Sequence, residues 1–292
     1  MKSVVIGLSF GNLYVDILKK LGHQVITCDT HKPANYWNIH DVLSQHKHFD
    51  TVHICTPNHT HQAIAELFGD YSDLIFVEKP GFSTPDAWQS FQNNYKAKLI
   101  MTKNNMWRDN INEIIAQSQI SDLIQINWIN KNRIPSPGSW FTDKEKSFGG
   151  VSRDLLPHLL SLFISINSKT FKNFQILNAQ SQQRWNLSTC GDTDYGSVIK
   201  DGNYNVDDFA RIELTDNQTK FIITSDWKSN QQDDIAMHFY KNNQLINTIP
   251  LGLCPESAYQ NMILDCISNL QNDEFWQKQF EYDYWIQEKI QL

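Results

Sequence analysis

Short apolar runs alternate with segments of helical spacing over the first third of the 292-residue chain. Runs rich in Val and Ile predict buried strands, and the spaced segments between them predict helices. The predicted strands are residues 3–8, 24–28, 51–55, 74–77 and 99–102, and the predicted helices are 12–21, 61–68 and 84–94. Strands that are apolar on both faces and separated by helices indicate a parallel sheet covered on both sides.

The pattern changes after about residue 119, where successive strands follow each other and are more polar. Strands are predicted at 122–130, 181–189, 207–215, 219–227 and 235–240, and helices at 155–166 and 258–270. Asp216-Asn217 between two of these strands is typical of a hairpin. We therefore predict two domains, a Rossmann-type α/β domain at 1–119 and an α+β domain at 120–292 with a large, mostly antiparallel, open-faced sheet.

Composition narrows the class of protein. The formal charge is −7 and no run of Lys or Arg forms a basic stripe, which argues against nucleic acid as the main partner. The five cysteines are scattered, without a C-x-x-C pair, as expected for reduced thiols in a cytoplasmic protein. The apolar run at 4–8 lacks a cleavage pattern, and no run approaches the roughly 20 apolar residues of a membrane span. We expect a cytoplasmic protein without membrane contact.

A glycine-containing turn lies between the first predicted strand and the first predicted helix. Glycine permits a tight bend and close backbone approach, and a helix N-terminus attracts pyrophosphate. Ser9 stands at the second glycine position of the G-x-G-x-x-G pattern and Asn12 at the third. The predicted contacts are Gly7, Ser9, Phe10, Gly11 and Asn12. Taken alone, the turn is equally compatible with a plain strand–helix connection.

Asp29 ends the second predicted strand, about twenty residues after Gly7. A carboxylate at that position can accept both hydroxyls of an adenine ribose and repels a 2′-phosphate, which favours NAD over NADP. His31 and Lys32 follow closely, so NADP binding stays open. The alternative is an exposed aspartate at a strand end.

Four motifs occur in order at suitable spacing: the turn at residues 7–11 (GLSFG), residues 55–61 (CTPNHTH), residues 78–80 (EKP) and residues 149–158 (GGVSRDLLPH). Together they resemble the Gfo/Idh/MocA family, which includes glucose–fructose oxidoreductase, inositol dehydrogenase and many aldose dehydrogenases. The resemblance extends to residues 207–210 (DDFA) and the strand ending at Trp227. It implies that the first domain binds dinucleotide and that the second binds substrate and forms oligomers.

The resemblance also implies roles for individual residues. Thr56, Pro57, Asn58, His61 and Glu78 would contact the cofactor. Lys79, Asp154 and His158 would form the catalytic set, and the Lys79–Pro80 bond is often cis in this family. Substrate contacts would come from Asn105, Trp107, Arg108, Lys131 and Trp140. For Lys131 and Trp140, a solvated lysine and a packing tryptophan are equally compatible with the sequence.

Hydride transfer needs an alcohol carbon near the nicotinamide and a group that takes the hydroxyl proton. A buried lysine can do this, and so can a histidine, whose ordinary pKa is near neutrality. Asp154 and His158 are four residues apart and would share a helix face, but Pro157 requires the helix to begin or kink near Asp154. The alternative interpretation makes Asp154 a helix cap and His158 a polar residue on an apolar helix.

The leading hypothesis is an NAD(P)-dependent oxidoreductase acting on a carbohydrate or cyclic polyol, as a homodimer or homotetramer. Two alternatives stay open, a non-catalytic dinucleotide-binding regulator and a reductase of C=N or C=C bonds. His53, His59 and His61 stand in a strand–turn setting that argues against a metal, so no metal is expected. The sequence does not identify the substrate, the direction of reaction or the formal base.

Overall fold

The computed structural model describes residues 1–252 and 255–292, so Cys254 of the five cysteines lies outside the described residues. The strands are β1 (Lys2–Ile6), β2 (Gln24–Cys28), β3 (Phe49–Ile54), β4 (Ser72–Val77), β5 (Lys98–Met101), β6 (Leu123–Ile129), β7 (Gln175–Gln182), β8 (Phe209–Thr215), β9 (Lys220–Asp226), β10 (Asp234–Lys241) and β11 (Gln244–Pro250). The helices are α1 (Gly11–Lys20), α2 (Ile39–Gln45), α3 (His61–Phe68), α4 (Pro85–Asn94), α5 (Ile111–Gln119), α6 (Lys144–Ser147), α7 (Val151–Asp154), α8 (Leu156–Ile166), α9 (Glu256–Ser268) and α10 (Asp273–Lys289).

The chain forms two compact units. The first contains Met1–Thr102 and Glu256–Glu288, and the second contains Lys103–Pro255 and Lys289–Leu292. The predicted boundary at residue 119 differs from this division in two respects: α5 lies in the second unit, and the C-terminal helices return to the first. Because both helices are separated from the first unit by about 150 residues of sequence, local patterns alone do not reveal this return.

The first unit is built on a five-stranded sheet in the order β2-β1-β3-β4-β5. Every neighbouring pair is parallel. The strand interiors are buried, as in β3 and β4, which explains their continuous apolar runs. All five predicted strands of this sheet are present, and no end differs from its prediction by more than two residues.

Helix α1 buries Tyr14, Val15, Ile17 and Leu18. The buried face of the helix is therefore rotated relative to the predicted face of Leu13, Ile17 and Leu21, since Leu13 and Leu21 are only half-buried. The helix begins at Gly11, where an added Cβ would lie 2.8 Å from Cγ1 of Val5. Glycine thus allows this helix to pack closely against β1.

The second unit contains a six-stranded sheet in the order β11-β10-β6-β9-β8-β7. Only the pairing of β6 with β9 is parallel. Alternate residues face α8, which is buried on nearly all sides and packs against β6 and β9. The other face carries half-buried polar side chains such as Arg211, Glu213 and His238. The predicted fold class, a Rossmann-type parallel sheet domain with an α+β domain, is confirmed.

One predicted strand is wrong. Strand β7 ends at Gln182, and residues 183–189 form a loop instead of continuing the strand. The backbone N–H groups of Arg184 and Trp185 donate to Oδ2 of Asp208, both at 2.9 Å, so they are diverted from a sheet ladder. Asn186 then closes a turn by accepting from the backbone of Ser188 and Thr189.

Several elements were not predicted from the sequence pattern: α2, α5, α10 and β11.

Across the described parts of the chain, none of the helices combines the length and apolar character that membrane crossing requires.

Candidate functional site

The carboxyl ends of the parallel strands bring most of the predicted cofactor residues to one edge of the first unit. Backbone bonds extend the sheet one residue past each strand: Gly7 N donates to Cys28 O at 2.9 Å, Cys55 N to Ile6 O at 2.8 Å and Glu78 N to Ile54 O at 3.0 Å. Ligands of open parallel sheets bind outside these ends, where the strand order reverses. In this sheet the reversal lies between β1 and β3.

The turn between β1 and α1 allows close backbone approach. Gly7 has φ +87°, and an added Cβ would lie 2.7 Å from Cys55 O, so a side chain fits there neither conformationally nor sterically. The close helix–sheet packing lies at Gly11 and not at Asn12, one residue earlier than in G-x-G-x-x-G. Ser9, Phe10 and Asn12 are exposed beside the helix N-terminus. This arrangement fits a dinucleotide pyrophosphate.

Asp29 follows β2 and is tied to the same turn. Its carboxylate accepts from Leu8 N at 2.6 Å, His31 N at 2.7 Å and Lys32 N at 2.8 Å. Burial acts to raise the pKa of Asp29, but these backbone hydrogen bonds outweigh it and lower the pKa below its ordinary value. The group is therefore a carboxylate at neutral pH, which suits ribose hydroxyls and disfavours a 2′-phosphate.

Glu78 directly follows β4 and is held by a residue that the sequence pattern did not single out. Tyr14 Oη donates to Glu78 Oε1 at 2.7 Å and lies 3.2 Å from Thr102 Oγ1. Burial raises the pKa of Glu78, while the hydrogen bond from Tyr14 and the charge of Lys79 oppose that rise. Lys79 is half-buried, and the Lys79–Pro80 peptide bond is cis.

His61 is fully buried and bonds to backbone on both sides. Its Nδ1 lies 3.0 Å from Gly81 O, and its Nε2 lies 2.8 Å from Thr56 O. The ring therefore joins the loop after β3 to the loop after β4, the two loops that carry Thr56 and Lys79. This contact, rather than exposure toward a ligand, is what the structure shows for His61. Thr56, Pro57 and Asn58 are half-buried in the same loop.

Asp154 and His158 lie on either side of a helix break. Asp154 ends α7, and Leu155 is the residue that precedes α8, with Pro157 in the first turn, where its missing N–H costs nothing. The N-cap of α8 is Leu155, and no side chain of the described residues caps this helix; Oδ2 of Asp154 instead accepts from Trp227 Nε1 at 2.9 Å. The His158 ring lies against Trp128, with centroids 5.6 Å apart.

These side chains open onto a cavity of about 260 Å³ in the second unit, named here the Trp227 cavity. Its lining combines aromatic walls with polar groups: Trp128, Asn130, Arg133, Pro135, Ser136, Phe141, Asp154, Leu155, His158, Tyr195 and Trp227. Asn130 is 2% exposed and donates to Asp226 O at 3.1 Å, while its Oδ1 has no hydrogen-bond partner among the described residues. A buried acceptor without a donor suits a hydroxyl-bearing ligand.

The predicted substrate residues lie elsewhere in the second unit. Asn105 donates to His158 O at 3.3 Å and accepts from Arg108 at 2.9 Å, so both support the framework around His158. The Trp140 ring stacks on the ring of the lining residue Phe141, with centroids 3.8 Å apart. Lys131 is exposed, and Trp107 is half-buried in a short 3-10 helix. Sequence reasoning missed Trp128, Asn130, Arg133, Phe141 and Tyr195, which carry no local signature.

The first unit is thus a dinucleotide-binding domain of the Rossmann class. Residues 15–102 match the sequence model of the Gfo/Idh/MocA family, described as an oxidoreductase family with an NAD-binding Rossmann fold. The predicted resemblance and the prediction of an NAD-binding oxidoreductase are confirmed by this match, which begins after the glycine turn. A comparison with curated proteins finds no match to the sequence.

Solved structures share the whole fold at low sequence identity. GenD2 from gentamicin A biosynthesis, in complex with NAD, has a TM-score of 0.73 at 13% identity, over 99% of this chain and 92% of that one. A myo-inositol dehydrogenase from Corynebacterium glutamicum has a TM-score of 0.71 at 12% identity, over 99% and 94%. A levoglucosan dehydrogenase in complex with NADH and levoglucosan has a TM-score of 0.70 at 13% identity, over 98% and 94%.

Proposed function

We propose that the protein is an NAD-dependent dehydrogenase that moves hydride between nicotinamide and a hydroxyl-bearing carbon of a sugar or cyclic polyol. The observation that carries the proposal is the Trp227 cavity, where Asp154, His158 and Asn130 line one space walled by aromatic rings. Such walls suit the C–H faces of a sugar ring, and the polar groups suit its hydroxyls. The sugar and inositol dehydrogenases of the same fold support this substrate class.

The first unit supplies the groups that hold the cofactor. Gly7 and Gly11 let the backbone and the α1 N-terminus approach a pyrophosphate, Asp29 accepts ribose hydroxyls, and Glu78 is positioned by Tyr14. NAD, when bound, supplies the hydride acceptor. Ser9, Phe10, Asn12, Thr56, Pro57 and Asn58 are proposed as further cofactor contacts.

The catalytic residues must remove the proton from the substrate hydroxyl. We propose that Lys79 and His158 share it, and that Asp154 orients a hydroxyl or the imidazole. The hydrogen bond from Trp227 Nε1 to Oδ2 of Asp154 holds the carboxylate in place beside the cavity, which supports this role. The order of proton transfer between Lys79 and His158 is decided by the pH profile of turnover in single variants of each.

The test begins with cofactor binding. Thermal melting with NAD and with NADP should show a larger rise in Tm with NAD, and Asp29→Ala should remove that preference while Asp16→Ala, an exposed aspartate of α1, retains it. A screen of aldoses, polyols and their oxidised forms then follows reduced-nicotinamide absorbance. Lys79→Met should lower kcat by about 100-fold or more, and Lys96→Met, at an exposed lysine, should not. Binding of NAD without turnover of any substrate would favour a regulator, and turnover of imines alone would favour a C=N reductase.

We also propose a cytoplasmic homo-oligomer. The four described cysteines are free thiols, in keeping with a reducing compartment. The half-buried polar face of the six-stranded sheet offers a surface for a second copy. Light scattering of the purified protein tests the oligomer, because a monomeric mass at micromolar concentration contradicts it, and fractionation of cells tests the compartment.

A further inference from the structure

A second cavity of the second unit, of about 410 Å³, shares no lining residue with the Trp227 cavity. We call it the Arg153 cavity. Its walls come from the segment around α7, from the end of β7 and from the last residues of the chain. Lys144 and Arg153 supply positive charge to the lining, and Asp207 supplies negative charge.

Arg153 is unusual because it is only 7% exposed and its Nη1 has no hydrogen-bond partner among the described residues. Buried arginines are normally paired, since an uncompensated buried charge is costly. Burial lowers the pKa of Arg153 to about 10, and the charge of Asp207 opposes that shift, so the guanidinium stays positive at neutral pH. A buried cation facing a cavity thus lacks an acceptor for one of its N–H groups.

The carboxylate of Asp207 bonds to other donors and not to Nη1 of Arg153. It accepts from Gly150 N at 2.9 Å, Ser152 N at 2.8 Å and Ser152 Oγ at 3.0 Å. These bonds attach α7 to the segment before β8. Nη1 of Arg153 is thus left as a donor that a ligand in the cavity can use.

The backbone beside Arg153 provides the room for its side chain. Gly149 has φ +153°, and an added Cβ there would lie 2.8 Å from Cγ of Arg153. The stem of the arginine therefore occupies space that exists only because residue 149 is glycine. The arginine is built into the fold and does not extend into solvent by chance.

We propose that the Arg153 cavity binds a small organic carboxylate with hydroxyl groups, such as a sugar acid. A planar carboxylate matches the fork of the guanidinium. The nearby charge of Asp207 disfavours a doubly charged phosphate and favours a singly charged anion. The volume exceeds what a carboxylate group alone needs, and Ser181, Gln182 and Asn205 in the lining offer polar groups to hydroxyls.

The test measures binding to the whole protein without nicotinamide, so its failure is distinguishable from failure of the proposed function. Gluconate, acetate and phosphate are titrated by calorimetry and thermal melting against chloride at equal ionic strength. Gluconate should bind and raise Tm. Arg153→Met should raise the Kd for gluconate by about tenfold or more, which corresponds to loss of a charged hydrogen bond. Arg211→Met, whose guanidinium pairs with Glu213 outside the cavity, should bind gluconate like the parent chain.

A second variant keeps the test decisive if Arg153→Met does not fold. Ser181 lines the cavity and pairs with Ala210, on the face of the sheet that is buried. Ser181→Glu brings a carboxylate into the cavity, so it should raise Tm without added anion and abolish the response to gluconate. No gluconate response in the parent chain, an unchanged response in Ser181→Glu, or tighter binding of phosphate than of gluconate would each overturn the assignment.

Discussion

At the scale of single residues, Tyr14 shows how a helix side chain acts on a site at the end of a strand. It lies on the buried face of α1, 64 residues before Glu78, and donates to Glu78 Oε1 at 2.7 Å. Its ring also packs edge-on against Tyr259 at 5.7 Å, which fixes its position. A hydrogen bond to a buried carboxylate stabilises the charged form of that group. Tyr14 is therefore a positioning residue for Glu78.

Replacement of Tyr14 by Phe should leave the ring packing and remove only the donor. We expect a loss of about 1–3 kcal/mol in the free energy of unfolding, because Glu78 then loses its hydrogen bond from Tyr14 and keeps only the one from Thr102. The pKa of Glu78 should rise further, and NAD affinity should fall several-fold under the proposed function. Denaturant unfolding and NAD titration measure both effects. Tyr71→Phe, at an exposed tyrosine, is the control, and equal behaviour of the two variants would contradict the role.

At the scale of elements, the position of the cofactor edge could be predicted from sequence because it depends on local pattern. Buried runs such as residues 24–28 predict parallel strands, and parallel strands place their following residues at one edge. Gly7, Asp29 and Glu78 follow three of these strands, so their clustering needs no further information. The family motifs then assign chemistry to the edge.

The substrate side could not be predicted in the same way. The walls of the Trp227 cavity come from β6, from the two loops that carry Phe141 and Tyr195, from α7 and α8, and from Trp227 directly after β9. Their proximity depends on sheet order and long-range pairing, which periodicity does not encode. The wrong strand at 181–189 has a similar origin, since Asp208, more than twenty residues away, takes the N–H groups that a ladder would use.

The position of α7 against the segment before β8 depends on Gly150. Its N donates to Asp207 Oδ1 at 2.9 Å, and an added Cβ would lie 1.7 Å from Asp207 O. Gly150→Ala should therefore displace α7 and reduce the free energy of unfolding by about 3 kcal/mol. Gly191→Ala tests backbone strain alone, because its φ is +62° with open space around it, and should cost about 1 kcal/mol. Equal thermal stability of the two variants would show that the contact with Asp207 is easily relieved.

At the scale of the whole molecule, stability in mild acid depends on histidines that are buried without charge. Burial lowers the pKa of His61 to about 4, although its two carbonyl contacts favour the protonated ring. Burial also lowers the pKa of His53 to about 3, where the ring stacks on Phe76 at 4.6 Å. In mild acid, both rings therefore bind protons in the unfolded chain but not in the folded protein.

The sign of the resulting pH dependence follows from linkage. Between about pH 6.5, the ordinary pKa of histidine, and about pH 4, the unfolded chain binds a proton at residue 61 that the folded chain does not, so stability falls as pH falls. The contribution is fully present above about pH 6.5 and amounts to about 3 kcal/mol across the window.

His61→Gln should be less stable at pH 7, since it disturbs the contacts to Thr56 and Gly81, yet its Tm should decline less steeply from pH 6.5 to 4. His53 is unchanged in this variant, so the difference between the two melting profiles isolates His61. His40→Gln, at an exposed histidine of α2, should follow the parent profile, and parallel profiles for His61→Gln and the parent would mean that the folded protein accepts the proton on His61.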